Sequence, residues 1–219
     1  MTTTVLLGKG ELAVRAAQFL AESNSHDLAL VVPVRPEPTW TASLADWCSS
    51  NGVDHVASGH YHDVTDALDG RSIDLAVSIF YDKIIDGDFI DSCRRIVNLH
   101  NGPLPRYRGV SPINWALRNE ERTHGVTIHE ITPGIDDGPI LAQVTYCIYP
   151  EIDEVADVYA RAIEFGWTLF RTTIPILDAV SPTPQIDAEA TYYGRADDVG
   201  LGDRRLFTRL DSRAAETEL

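Results

Sequence analysis

The segment that decides the fold is Ile96–Ala142, which reads IVNLHNGPLPRYRGVSP, then a short helix-like run, then GVTIHEITPGIDDGPILA. It supplies a carboxamide in Asn98, an imidazole in His100 and a carboxylate in Asp136 or Asp137. Each polar group stands at the end of an apolar, strand-like run or in the loop that follows one. Ligands of α/β folds bind outside the carboxyl ends of parallel strands, so this placement predicts a reaction site.

Outward from this segment, apolar strand-like runs alternate with runs of helical spacing. The predicted strands are Thr4–Leu7, Leu28–Val34, Asp54–Ala57, Ile73–Phe80, Ile96–Leu99, Gly125–Ile131 and Ile140–Ile148. The predicted helices are Glu11–Glu22, Trp40–Asn51, Val64–Leu68, Asp88–Cys93, Val110–Asn119 and Glu154–Leu177. The connection Thr132–Pro139 is too short for a helical crossover, so the strands that it joins should be antiparallel.

The alternation predicts an α/β, Rossmann-like fold. We expect a mostly parallel, twisted sheet with flanking helices, one antiparallel strand pair and a short C-terminal tail. The predicted domain covers residues 1–180. The tail covers residues 181–219 and would shape a substrate site or a dimer interface.

Composition limits the class of protein. The 219 residues carry a formal net charge of −15 and a pI of about 4.7, and such an acidic surface disfavours a nucleic-acid partner. The three cysteines are odd in number and far apart, which favours reduced thiols in a cytoplasmic protein. The N-terminal MTTTVLLGKGELAV lacks the basic segment of a signal peptide, and no apolar run approaches the ~20 residues that span a bilayer. We therefore predict a cytoplasmic protein without nucleic-acid or membrane partners.

Two further motifs are candidate ligand sites. Residues 8–13, GKGELA, match the dinucleotide-binding G-x-G-x-x-A turn, but Glu11 places a negative charge where an anion should bind. The second strand also ends without an acidic residue for a ribose, so a tight strand-to-helix turn is favoured over NAD(P) binding. His60, His62 and Asp63 are close in sequence, yet no further ligand has zinc spacing, and we predict no metal site.

Asn98 and His100 lie two residues apart on a predicted strand, so their side chains project from the same face. A carboxamide beside an imidazole provides hydrogen-bond donors for an oxyanion, and an imidazole also exchanges a proton near neutral pH. Gly134–Pro139 is a glycine-containing loop whose carboxylates would orient the imidazole and raise its pKa. The alternative is an ordinary structural role, as strand-end hydrogen bonds or as turn chemistry. Together the groups predict an acyl-transfer site.

These residues carry a resemblance to a known family. The pattern N-x-H-x-x-x-L-P-x-x-x-G followed by L-D-x-G, here over residues 98–138, resembles the formyltransferases that use formyl-tetrahydrofolate. The likeness extends more loosely over residues 5–177. Position by position, it implies catalytic roles for Asn98, His100 and Asp136. The neighbouring Asp137 falls on the variable place of the motif.

The resemblance also implies a formyltransferase fold and a co-substrate, 10-formyltetrahydrofolate. The residues that it assigns to the folate are Phe80, Tyr81, Asp82, Leu104, Ile131, Thr132, Gly134 and Ile135. The residues that we expect at the amine substrate are Asn101, Pro103, Arg106, Arg108, Tyr192 and Tyr193. The tyrosines would stack on a base, and the arginines would meet a diphosphate unless they are ordinary surface charges. Three more arginines share that expectation, Arg195, Arg204 and Arg205.

The acceptor amine stays open among several classes. The glycinamide-ribonucleotide enzymes of the family hold phosphate on a Gly-Ser-Asn turn, where this chain has residues 10–12, GEL. The methionyl-tRNA enzymes carry a second domain and a basic surface, unlike this acidic chain. The resemblance therefore favours an amino-sugar nucleotide of the dTDP-4-amino-sugar type, or another small amine, with a homodimer as one option for assembly. Two other classes remain, a folate-binding module without catalysis and an NAD(P)-dependent oxidoreductase.

Overall fold

Strands and helices alternate along the chain as the sequence predicts. The computed structural model describes residues 1–205, with side chains described as far as residue 202. The strands are β1 Thr2–Gly8, β2 His26–Pro33, β3 Leu75–Ile79, β4 Ile96–His100, β5 Arg108–Gly109, β6 Thr123–Glu130, β7 Ile140–Cys147 and β8 Tyr192–Tyr193. The helices are α1 Gly10–Ala21, α2 Leu44–Asn51, α3 Val64–Ala67, α4 Gly87–Ser92, α5 Pro112–Arg118 and α6 Val155–Thr173. Short 3-10 segments cover Tyr61–Asp63, Ile174–Ala179, Asp187–Glu189 and Arg195–Arg205.

Within residues 1–205, six strands form the main sheet in the order β2-β1-β3-β4-β6-β7. The first four are parallel, whereas β6 is antiparallel to both β4 and β7. The predicted mostly parallel α/β sheet with flanking helices is confirmed, and so is the antiparallel pair that the short connection after β6 requires. The pairing of β4 with β6 adds a second antiparallel contact.

Two predicted elements differ from the structure. The strand predicted over residues 54–57 is reduced to one bridge between His55 and Val31, bracketed by turns in which Gly52 and Gly59 have positive φ. The long helix predicted to reach residue 177 ends as α6 and continues as a 3-10 segment. Pro175 at the start of that segment has no backbone N–H to continue the α-helical ladder.

Alternate residues of the central strands fill two cores. Leu6 of β1 belongs to the core that includes α1 and α6, while Val5 and Leu7 belong to the core on the opposite face. Burial on both faces explains why these strands read as continuous apolar runs. Ile96 of β4 lies in the second core, so the face of β4 that bears Asn98 is the face of that second core.

The described part of the predicted tail packs on the preceding domain. Thr183 exchanges two backbone hydrogen bonds of 2.8 Å with Ile140, and β8 pairs in parallel with β5. The ring of Tyr193 stacks on Trp115 with centroids 4.3 Å apart. The division at residue 180 stays a prediction, and residues 206–219 of the predicted tail lie outside the described residues.

No helix within residues 1–205 is both long enough and apolar enough to cross a bilayer. The cytoplasmic location, the lack of a nucleic-acid partner and the possible homodimer stay predictions.

His124 in β6 is fully buried and neutral in the fold. Its Nε2–H donates to the backbone oxygen of Asn101 at 3.1 Å, while its Nδ1 has no hydrogen-bond partner among the described residues. Burial lowers the pKa of His124 from 6.5 to about 4, and the bond to Asn101 offsets this only in part. Because the folded state has the lower pKa, this stability is complete above pH 6.5 and is lost as the pH falls toward 4.

Because His124 must take up a proton on unfolding, we expect the free energy of unfolding to fall by about 3 kcal/mol when the pH is lowered from about 7.5 to about 4. Urea denaturation of the wild type and of His124→Phe at both pH values measures this, because phenylalanine fills the site and does not titrate. The variant should be less stable at the higher pH but lose about 3 kcal/mol less on acidification. Equal losses in the two proteins would contradict a neutral buried imidazole.

Candidate active site

Asn98 and His100 project from β4 on the face of the second core. Strand β6 lies beside them, with His129 in register with Asn98 and Thr127 in register with His100. Cross-strand neighbours in an antiparallel pair share a face, so β6 adds His129 to the polar cluster. The period of two that predicted a shared direction for Asn98 and His100 therefore also places a second imidazole beside them.

Asp136 reaches this cluster from the loop between β6 and β7. Because β6 is antiparallel to β4, the loop leaves the sheet beside Ile96 and folds back over the face. Asp136 Oδ2 accepts the backbone N–H of Gly109 at 2.8 Å and lies 3.5 Å from Nδ1 of His100. Its Oδ1 lies 3.5 Å from Nδ2 of Asn98. The structure thus brings the three predicted side chains together, while their catalytic roles stay a prediction.

The loop holds Asp136 in an uncommon backbone conformation. Its φ is +51°, in the left-handed region that residues with a Cβ rarely adopt. A Cβ at Gly138 would collide with the carbonyl of Glu130, so only glycine permits this close approach. Such strain persists only where surrounding contacts hold it, and it is common at functional sites.

The site combines an ionised carboxylate with a neutral imidazole. Burial lowers the pKa of His100 and outweighs the Asp136 carboxylate, which raises it. Burial alone would raise the pKa of Asp136, but the positive charge that His100 and His129 carry when protonated, together with the Gly109 N–H, holds this pKa well below its usual range. The Nε2–H of His100 donates to the backbone oxygen of Tyr107 at 2.8 Å. Its unprotonated Nδ1 therefore faces the carboxylate near neutral pH.

His129 is a member of the cluster that the sequence did not reveal. Its side chain is 2% exposed, and its Nδ1–H donates to the backbone oxygen of Glu130 at 2.8 Å. Its Nε2 consequently carries the lone pair, and it accepts the Nδ2–H of Asn98 at 3.2 Å. His129 therefore determines which way the carboxamide of Asn98 faces. Its membership in the cluster follows from the register of β6 against β4, which no local sequence pattern specifies.

Asp137 lies outside the cluster. It is exposed, and its carboxylate accepts the hydroxyl of Thr132. A Cβ at Gly134 would collide with that carboxylate, so Asp137 shapes a tight turn. Asp137, which falls on the variable place of the motif, thus takes part in the turn.

Two of the residues predicted for the folate flank the same face. Tyr81, which follows β3, and Ile131, which follows β6, both pack on the second core. Phe80, between β3 and Tyr81, has a φ of +55°, and its ring packs against the core on the opposite face. Ile135 is 40% exposed next to Asp136. Apolar surface beside a few polar groups is what a flat heteroaromatic ligand requires.

The remaining predicted residues of these loops lie nearby. Asp82 is 3.8 Å from Lys83, and Leu104 is buried with its backbone N–H bonded to Thr127 at 3.2 Å. Asn101 has a buried Oδ1 without a partner among the described residues. Pro103, in the same loop as Asn101 and Leu104, is half-buried.

The arginines expected at a diphosphate have protein partners in the structure. Arg108 donates to Gln185 and to Asp187, and its side chain is 12% exposed. Arg106 pairs with Glu121. Arg108 thus has acceptors in the folded tail, and Arg106 has one in Glu121, which the sequence did not show to be near. Their role at a diphosphate stays a prediction.

The two tyrosines of β8 have different surroundings. Tyr193 stacks on Trp115 and on Tyr107, so its ring belongs to the packing of the tail and not to a free stacking surface. Tyr192 is 53% exposed and remains open to a ligand. Arg195 is exposed, whereas the side chains of Arg204 and Arg205 lie outside the described residues.

Comparisons with known proteins find this fold among formyltransferases. The formyl transferase family matches residues 22–174. A methionyl-tRNA formyltransferase of Thermosynechococcus vestitus is 36% identical over 128 residues, which are 58% of this chain and 38% of that protein. The chain thus spans little more than a third of the length of this curated relative.

Two solved structures are also similar. WlaRD, a sugar 3N-formyl transferase in the presence of dTDP and 5-N-formyl-THF, has a TM-score of 0.76 and 27% identity, covering 90% of this chain and 71% of that one. An N-formyltransferase from Helicobacter canadensis, in complex with folinic acid and dTDP-3-aminofucose, has a TM-score of 0.78 and 24% identity, covering 90% of this chain and 72% of that one. At 24% identity the second likeness shows the fold alone.

We expect Asp136→Asn to lower the pKa of His100 further, because the carboxylate is what favours the imidazolium there. An NMR titration of the His100 ring protons, assigned by comparison with His100→Gln, measures the change. Asp137→Asn is the matched control and should leave the titration unchanged. A higher pKa in Asp136→Asn would show that the two groups are not coupled as described.

Proposed function

Because the chain belongs to the formyl transferase family, we propose that it transfers a formyl group from 10-formyltetrahydrofolate to the primary amine of a small molecule. The observation that carries the proposal is the convergence of Asn98, His100 and Asp136 on one face of the sheet. The sugar formyltransferases of similar fold were crystallised with formyl-THF or folinic acid, which supports a folate donor here.

His100 acts on the proton of the attacking amine. A primary amine that adds to a carbonyl must lose a proton, and the neutral Nδ1 of His100 is positioned to accept it. The resulting imidazolium faces the carboxylate of Asp136 at 3.5 Å, while Nε2 remains bonded to Tyr107. Asp136 therefore stabilises the charged ring and keeps its orientation, which makes proton uptake easier in a buried place. When the bond from the formyl carbon to the folate nitrogen breaks, the imidazolium can return this proton to that nitrogen, and tetrahydrofolate leaves.

Asn98 stabilises the oxygen on which negative charge develops. One hydrogen of its Nδ2 is directed to His129 at 3.2 Å. The other has only a long contact of 3.5 Å to Asp136, which a stronger acceptor can replace. An oxyanion is such an acceptor, and because the carboxamide is already oriented, no reorganisation is needed during the reaction.

The loops around the cluster fit the folate. The bound folate supplies the formyl group, and the chain supplies an apolar wall from Tyr81 and Ile131 on the face that carries Asn98. The backbone at Phe80, next to Tyr81, has a φ of +55° and would offer main-chain groups to the polar edge of a pterin-like ring.

For the acceptor we favour an amino-sugar nucleotide. Lys9 follows β1 at the carboxyl edge of the parallel strands, and burial together with the charge of Arg195 lowers its pKa, while Asp82 raises it. Among the described side chains, neither Lys9 nor Arg195 is part of an ion pair. Two neighbouring cations that form no salt bridge with the described side chains, in a chain of net charge −15, favour an anionic ligand such as a diphosphate. The exposed ring of Tyr192 lies three residues before Arg195 and offers a stacking surface.

Other acceptors remain alternatives within the same reaction. They include glycinamide ribonucleotide, methionyl-tRNA and amines of secondary metabolism. A folate-binding module without catalysis is the alternative from another class. Calorimetry with a stable folate analogue, together with a turnover assay on dTDP-, GDP- and UDP-linked amino sugars and small amines, separates these cases. Folate binding without turnover on any amine would favour the module.

We expect His100→Ala or Asp136→Ala to lower kcat about 100- to 1000-fold, since each removes a group that acts only on the transition state. The assay follows tetrahydrofolate release, with circular dichroism as the check on folding. Asp137→Ala should be the milder change because that carboxylate serves the turn. A fully active Asp136→Ala would show that the carboxylate has been assigned wrongly.

We also expect Lys9→Met and Arg195→Met to raise KM for a diphosphate-bearing acceptor about tenfold with little change in kcat, because each removes uniform binding energy. Arg171→Met, at an exposed cation of α6, is the matched control. An unchanged KM in both variants would exclude these cations from the acceptor site.

A further inference from the structure

Residues 183–193, which we call the strap, cross over the loop that carries Asp136. At one end Thr183 pairs with Ile140 at the start of β7. At the other end β8 pairs with β5, whose Gly109 donates its N–H to the carboxylate of Asp136. The strap therefore contacts the segments on both sides of that carboxylate.

Gln185 lies in the strap and uses its full hydrogen-bonding capacity. Its Nε2 donates to the backbone oxygens of Asp136 at 2.8 Å and of Gly138 at 2.7 Å. Its Oε1 accepts from Nε and Nη2 of Arg108 at 3.0 and 2.9 Å. A carboxamide has two donor hydrogens and two acceptor lone pairs, so all four are used. The opposite orientation would turn its oxygen toward two carbonyls and its amino group toward a guanidinium.

The loop between β6 and β7 depends on contacts that fix its backbone. It leaves the sheet beside Ile96 and must fold back over the face for Asp136 to reach His100. Three of the four contacts to the carboxylate are long, at 3.5 Å, and only the Gly109 N–H is close at 2.8 Å. Because the backbone of Asp136 is also strained, the position of its carboxylate depends on what holds the loop.

We propose that Gln185 is a positioning residue, which holds the backbone at Asp136 and Gly138 so that the carboxylate faces His100. The strap is then part of the active site and not an appendage to the domain. This inference rests on the proposed function, because the positioned carboxylate acts in formyl transfer.

The informative variant is Gln185→Glu. It keeps the shape of the side chain and its acceptor side toward Arg108, but it turns a carboxylate oxygen toward two carbonyls. We expect kcat to fall at least about tenfold with the KM of the amine nearly unchanged, since a displaced catalytic group affects the reacting state. Asp187→Asn is the matched control. It weakens the outer partner of Arg108 without touching the loop, and it should stay within about twofold of the wild type.

A double-mutant cycle tests whether Gln185 acts through Asp136. In an Asp136→Ala background, Gln185→Glu should cost little further activity, because the group that it positions is already absent. The same fold-loss in both backgrounds would overturn the proposal, as would a folded Gln185→Glu with wild-type kcat. If Gln185→Glu does not fold, Gln185→Met removes the same bonds without a charge and is judged by the same outcomes.

Hydrogen–deuterium exchange of the peptide covering residues 132–140 gives a readout that does not need turnover. Exchange there should speed up in Gln185→Glu and stay unchanged in Asp187→Asn, because only the former releases the loop. Unchanged exchange in Gln185→Glu would show that the loop is held by other contacts. A wild type without formyl transfer would instead count against the proposed function, while the exchange result would still decide whether Gln185 holds the loop.

Discussion

The structure around the candidate active site depends on one buried carboxylate that stays ionised. The side chain of Asp136 is 14% exposed, so burial opposes its charge, and an unpartnered carboxylate there would take up a proton. Its charge is stabilised by the backbone N–H of Gly109 at 2.8 Å and by the carboxamide of Asn98 at 3.5 Å, and further by the ring of His100 when that ring is protonated. These groups come from two separate strands, and the carboxylate comes from the loop after a third. The carboxylate therefore ties together parts of the chain that have no local reason to meet.

The direction of β6 explains why this arrangement needs support from a distant segment. An antiparallel β6 places His129 opposite Asn98, which completes the polar cluster on the sheet. The same direction carries the following loop away from His100, so the loop has to fold back over the face. Gly138 permits the close approach to the sheet, and Gln185 bonds the carbonyls that the turn exposes. One feature of topology thus creates both the site and its dependence on residues that come fifty positions later.

The charge distribution divides the cations of the site into two groups. Arg106 and Arg108 are paired within the protein and stabilise the loops, whereas Lys9 and Arg195 have no ion-pair partner among the described side chains. In an acidic chain, unpaired cations that lie near each other are the exception, which is why they carry the argument for an anionic acceptor. An arginine in a sequence motif is therefore weak evidence for an anion-binding site until its partners within the protein are known.

By itself, the sequence determined what depends on local periodicity and chain length. Continuous apolar runs predicted the buried parallel strands, the short connection after residue 131 predicted the antiparallel pair, and spacing by two predicted that Asn98 and His100 share a face. The motif also separated Asp136 from Asp137. Only the tertiary structure decided the rest. The place of His129 follows from the register between two strands. The proposed role of Gln185 and the pairing of Arg108 follow from hydrogen bonds between residues that lie 49 and 77 positions apart in the sequence. Those contacts depend on how the strands, helices and loops pack against one another, and the sequence pattern within one segment does not specify that packing.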